Sequence, residues 1–93
     1  MATLIAEYKV RDFDAFKAVF DEFQATRAEL GATGHRLLRS AEDASLVNVL
    51  IEFPSAAAAR RFADDPRRAE ALGRAGVLER CDEVVEDVEA RTY

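Results

Sequence analysis

Residues 45–53, Ser-Leu-Val-Asn-Val-Leu-Ile-Glu-Phe, restrict the fold more than any other stretch of this chain. They read as a β-strand, in which successive side chains point to opposite faces. Val47, Val49, Ile51 and Phe53 then share one face, while Leu46 and Leu50, with the polar Asn48 and Glu52, share the other. Two weaker strands repeat the division: Leu37 and Leu38 oppose each other in 34–40, and Val84 and Val85 in 82–89. A sheet of such strands is apolar on both faces, and the helices of one small domain cover only one. An exposed apolar sheet face calls for a partner, and a second copy packed sheet to sheet about a two-fold axis is the economical solution. A homodimer is therefore expected. The alternative, a monomer with a half-polar open face, would suit Glu7, Lys9 and Glu52.

The remaining elements give that sheet its order. Residues 3–10 are short, β-prone and alternating, which predicts a first strand. Asp12 is placed to cap a helix over 13–30. There Phe13, Phe16, Phe20, Phe23, Arg27 and Leu30 recur at spacings of three and four, with Val19 on the same face. Gly31 ends it. The short polar link 41–44 makes 34–40 and 45–53 an antiparallel hairpin. Ser55 caps a helix over 56–63, and Asp65-Pro66 starts another over 66–75, with Pro66 at a position where its missing N–H costs nothing. Gly73 and Gly76 close it, and 82–89 is the last strand. The order β-α-β-β-α-β predicts an α+β, ferredoxin-like fold: a four-stranded antiparallel sheet with helices on one face.

Ninety-three residues make one domain, 1–93, whose own core is marginal at this size. The apolar fraction of 49% and charged fraction of 33% are those of a globular chain rather than a disordered one. A net charge of −5 repels phosphate and argues against nucleic acid as a partner. The single cysteine, Cys81, permits no intramolecular disulfide and reads as a reduced thiol in acidic surroundings. The first residues carry no basic leader and reach a charge at Glu7, so neither a secretion signal nor a membrane span is read there, and cytoplasm is expected. Eleven Arg against two Lys, with eighteen Ala, accompany a GC-rich bacterial genome.

Few residues offer chemistry. His35, the sole histidine, could act as a general acid or base at neutral pH, or could simply be a solvated strand-end side chain. Asn48, mid-strand among apolar neighbours, needs hydrogen bonds, either across a two-fold interface or to a ligand. The Tyr8 hydroxyl could orient a phenolic or carbonyl substrate, or Tyr8 could be an amphipathic core residue. Phe16, Phe20, Phe23 and Phe62 are core candidates that would also hold a flat aromatic ligand between helix and sheet. Glu52 is expected to pair with Arg36, Arg39 or a partner chain. No metal is expected, since one imidazole without a second ligand does not hold a transition ion. No nucleophile elbow, carboxylate pair or phosphate loop is present.

Val-Arg-Asp-Phe-Asp-Ala-Phe-Lys-Ala-Val-Phe-Asp-Glu-Phe (10–23) resembles the first helix of the dimeric α/β-barrel superfamily, in the branch akin to antibiotic-biosynthesis monooxygenases. Thr-Gly-His-Arg-Leu-Leu-Arg-Ser (33–40) is similar to its second strand, Ile-Glu-Phe-Pro-Ser (51–55) to its helix entry, and 65–77 to its bent second helix. The resemblance covers nearly the whole chain and implies the fold and the dimer. Its members include cofactor-free oxygenases of aromatic polyketides, haem-degrading enzymes, cyclases and small proteins of unknown role. The Trp that oxygenases of this type commonly use is missing, and the Asn–Trp–His set of the haem-degrading members cannot be assembled. The resemblance implies a cofactor-free oxygenase or cyclase acting on a small hydrophobic, aromatic or polyketide-like molecule, with His35, Tyr8 and Asn48 as catalytic residues. A non-catalytic small-molecule-binding or accessory protein, and a purely structural dimer, are the alternatives.

Overall fold

The computed structural model describes residues 1–93. Along the chain lie β1 (Ala2–Val10), α1 (Phe13–Glu22), α2 (Gln24–Glu29), β2 (Gly34–Arg39), β3 (Leu46–Phe53), α3 (Ala56–Asp64), α4 (Pro66–Arg74) and β4 (Val77–Glu86). The strands form one antiparallel sheet in the order β2-β3-β1-β4. This is the ferredoxin-like arrangement, with a β2–β3 hairpin and the two helical connections packed on one face.

Local chemistry starts α1, α3 and α4 where expected. Asp12 has an extended backbone, and its carboxylate accepts the Ala15 N–H at 2.9 Å. Ser55 Oγ accepts the Ala58 N–H at 3.1 Å. Asp65 accepts the Arg67 N–H at 2.9 Å, with Pro66 as the first helical residue. Each cap satisfies an amide left without an intrahelical acceptor. Gly31 and Gly76 leave their helices with φ of 104° and 76°, a region that side chains with a Cβ avoid.

Two elements differ from the sequence reading. The helix expected over 13–30 is divided at Phe23 into α1 and α2. At that joint the Arg27 guanidinium donates to the Phe20 carbonyl at 2.8 Å. The last strand runs Val77–Glu86 rather than 82–89. Val10 pairs with Val77 and Lys9 with Glu79, so Leu78 is an extra residue in a bulge, and pairing with β1 begins directly after the Gly76 turn.

Strand parity becomes burial. Ala2, Leu4, Ala6, Tyr8 and Val10 from β1, with Val47, Val49, Ile51 and Phe53 from β3, face the helices and are buried. Phe16 and Phe20 from α1, and Ala58, Ala59 and Phe62 from α3, close over them. The opposite face is mixed. Its register rows hold Ile5, Leu38, Leu46, Leu50 and Val85 among Glu7, Lys9, Arg36, Asn48, Glu52, Glu79, Cys81 and Glu83. Glu52 stands between Thr3 and Gly34 on this face and forms no ion pair with Arg36 or Arg39, which leaves a partner chain as the remaining expected contact.

Candidate functional site

Tyr8, near the end of β1, points into the helix-covered side and packs on Phe16 at a ring separation of 5.9 Å. Its hydroxyl meets Arg68, which lies in the first turn of α4 and is only 2% exposed. Arg68 Nη2 donates to the Tyr8 oxygen at 2.8 Å. The same guanidinium makes a bidentate pair with Asp82 of β4, at 2.9 and 2.8 Å, and donates to the Ala63 carbonyl at 3.3 Å. Asp82 reaches it because it sits opposite Ala6 in register and so shares the helix-covered face.

The electrostatics follow from this geometry. Burial alone would raise the Asp82 carboxyl, but the Arg68 hydrogen bonds and charge, aided by Arg80, hold it below the usual carboxylate range. Burial pushes the Tyr8 hydroxyl up, and the Arg68 charge and hydrogen bond only partly oppose it. Tyr8 therefore keeps its proton at neutral pH. Its oxygen already accepts from Arg68, which leaves the O–H free to donate.

Between the helices and the sheet lies a cavity of about 40 Å³. Its walls include Phe16, Val19, Phe20, Phe23, Val49, Ile51, Phe62, Ala71, Leu72 and Ala75, and its only polar side chains are Tyr8, Arg27 and Arg68. Phe16 and Phe20 stack at 5.8 Å, and Phe23 and Phe62 approach at 6.4 Å. Arg27, 3% exposed, lies over the Phe20 ring with its guanidinium carbon 3.8 Å from the centroid. Its Nη1 donates to the Phe20 carbonyl, while Nη2 is buried without a hydrogen-bond partner. Burial pushes the Arg27 pKa down, offset in part by Asp21; an arginine nonetheless stays charged.

The residues singled out from sequence are only partly brought together. Tyr8, Phe16, Phe20, Phe23 and Phe62 all line the cavity. His35 does not. It is exposed on the edge strand β2, edge-on to Phe20 at 5.0 Å, in a separate outer groove of about 140 Å³ with Gln24, Arg27, Ala28, Ala32, Thr33 and Gly34. Partial burial, then the charges of Arg27 and Lys17, lower its pKa, so the imidazole is neutral at pH 7. Asn48 is on the other face of the sheet, between Glu7 and Leu38 in register, so its side chain and that of Tyr8 lie on opposite faces. No group of three His, Cys, Asp or Glu is placed to hold a metal ion. The sequence reading passed over both buried arginines as functional groups. Arg27 had left a signal, a cation in the apolar stripe of the first helix. Arg68, among neighbouring charges and fourteen residues from Asp82, had left none.

No family profile matches the chain, and no curated protein does. Solved structures do match. SnoaB, a cofactor-independent oxygenase from Streptomyces nogalater, superposes with a TM-score of 0.81 at 17% identity, over 96% of this chain and 94% of that one. A candidate antibiotic biosynthesis monooxygenase from Bordetella bronchiseptica gives 0.81 at 16% identity, over 95% and 97%. Rv0793 from Mycobacterium tuberculosis gives 0.70 at 20% identity, over 98% of both chains. The chain has the fold of these antibiotic-biosynthesis-monooxygenase-like proteins.

Proposed function

We propose that this chain is a cofactor-free enzyme of the oxygenase or cyclase type, acting on a small hydrophobic molecule of aromatic or polyketide-like character. The observation that carries this reading is the phenylalanine-walled cavity whose wall includes the protonated Tyr8, with its hydroxyl held by Arg68. A substrate with an acidic C–H or O–H supplies its own electron-rich anion. The protein has to hold it dry, orient it and manage one proton, and Tyr8 is the donor for that step. His35, neutral in the outer groove, is the second proton carrier. The fold shared with a cofactor-independent oxygenase supports the reading. Ligand pockets run to about 300–1,000 Å³, so substrate entry requires the helix layer to move off the sheet.

The test is oxygen uptake and product mass for the protein mixed in air with a panel of hydroquinones and polyketones. Turnover that falls in Tyr8→Phe and His35→Ala is the expected result. No turnover and no binding across the panel rejects the reading. Tight binding without turnover favours the alternative of a binding or accessory protein, which the position of Asn48 on the far sheet face supports, because the three expected catalytic side chains do not share one site. We assign that far face, with Leu38 and Leu46 exposed among its charged residues, to a second copy of the chain. Light scattering tests the assignment: a concentration-independent mass of one chain removes it.

A further inference from the structure

We propose that Arg27 is the anchor for a negatively charged ligand group, so that the cavity takes a planar aromatic monoanion, a carboxylate or an ionised enol or phenol. This deepens the function proposed above and rests on the same cavity, but needs binding only, not turnover. The first ground is the state of the guanidinium. It is 97% removed from solvent by its 3% exposure, yet Nη2 has no hydrogen-bond partner and no carboxylate forms an ion pair with it. A buried cation in that condition is costly unless something recovers the lost hydration.

The second ground is position. Arg27 lines both the inner cavity and the outer groove that holds His35, and is the one side chain common to the two. A ligand passing from the groove toward the cavity meets this guanidinium. The third is preorganisation. The stack on Phe20 and the bond to the Phe20 carbonyl hold the guanidinium plane, leaving the Nη2 hydrogens to a ligand oxygen. The other cation in the cavity is already neutralised, since Arg68 is paired with Asp82. An acidic group therefore has one destination, and an attached ring has the phenylalanine walls.

The experiment is calorimetric titration of the intact protein with benzoate, benzamide and 4-nitrophenolate, repeated for Arg27→Met, Arg27→Lys and Tyr8→Phe. Benzoate should bind about tenfold or more tightly than benzamide, which has the same shape and no charge. Arg27→Met should remove that preference, Arg27→Lys should keep part of it, and Tyr8→Phe should leave it. 4-Nitrophenolate binding as tightly as benzoate assigns the site to ionised phenols as well as carboxylates; binding of benzoate alone confines it to carboxylates, and either outcome supports an anion anchor. Equal binding of benzoate and benzamide overturns the proposal, as does failure of both anions to bind or an anion preference that survives in Arg27→Met. Should Arg27→Met fail to fold, the lysine variant decides: a preference undiminished there overturns the bidentate anchor. Anion binding without oxygen uptake keeps this inference and sinks the oxygenase reading. Oxygen uptake with benzoate and benzamide binding equally does the reverse.

Discussion

Arg68 and Arg27 are equally hidden, at 2% and 3% exposure, and border the same cavity, yet their surroundings are opposite. Arg68 is met by Asp82, Tyr8 and the Ala63 carbonyl, tying α4 to β1 and β4. Arg27 has one backbone acceptor, an aromatic ring and a free Nη2. Burial by itself thus says little about a charged side chain's role; the inventory of its partners says more. A guanidinium whose donors are taken up is part of the scaffold. One whose donors are left over, on the wall between a groove and a cavity, keeps an unused donor, which is the basis of the ligand anchor proposed above.

The contrast can be broken by mutation. Arg68→Met should cost the most, about 3–5 kcal/mol in urea unfolding, because it strands the Asp82 carboxylate and releases α4 from the sheet. A loss below about 1 kcal/mol would erase the distinction between the two arginines. Asp82→Asn should cost less, about 2 kcal/mol, since this carboxylate is partly open to water and its pairing is screened. The pH dependence follows from the same pair. The folded-state pKa of Asp82 is depressed, so its contribution is present above the ordinary carboxylate value of about 4 and lost as pH falls through the lower folded value. Acid unfolding curves should therefore show a drop in the wild type that Asp82→Asn lacks. Arg27→Met should change stability by no more than about 1 kcal/mol in either direction, because shedding a buried unpaired charge offsets the lost stacking. The smallest effect is spectroscopic. In an NMR titration His35 should ionise below about 6.5 and move upward in Arg27→Met, which removes the largest charge acting on it, but not in Arg68→Met.

Most of the scaffold was legible from residues because its signals are local. Caps at Asp12, Ser55 and Asp65, turns at Gly31 and Gly76, and the parity of 46–53 each act over a few positions. β4 was read five residues late because Val84-Val85 dominates its hydrophobicity. The true start, Val77-Leu78-Glu79, is held by pairing with β1 and by a bulge that alternation alone does not reveal. The site was less legible for the same reason. Tyr8 and the phenylalanines stood out by type and spacing, whereas the Arg68–Asp82 pair depends on which face of β4 each residue takes, and the misplaced strand hid that. Asn48 was attractive because it is polar among apolar neighbours; only the sheet's covered side, a tertiary fact, separates it from Tyr8.

The α4 side of the cavity is walled by Ala71 and Ala75 together with Leu72, while the α1 side is walled by rings. Small side chains there make cavity size a property that one or two nucleotide changes can reset. Adding two methyl groups, as in Ala71→Val, would consume much of a space of about 40 Å³, and Leu72→Ala would enlarge it, in both cases without disturbing Arg27, Tyr8 or the Arg68 brace. On the proposed anion anchor, a lineage carrying this framework could alter the girth of the molecule it accepts while the charge requirement stays fixed. The two traits are written into different helices and are open to selection separately.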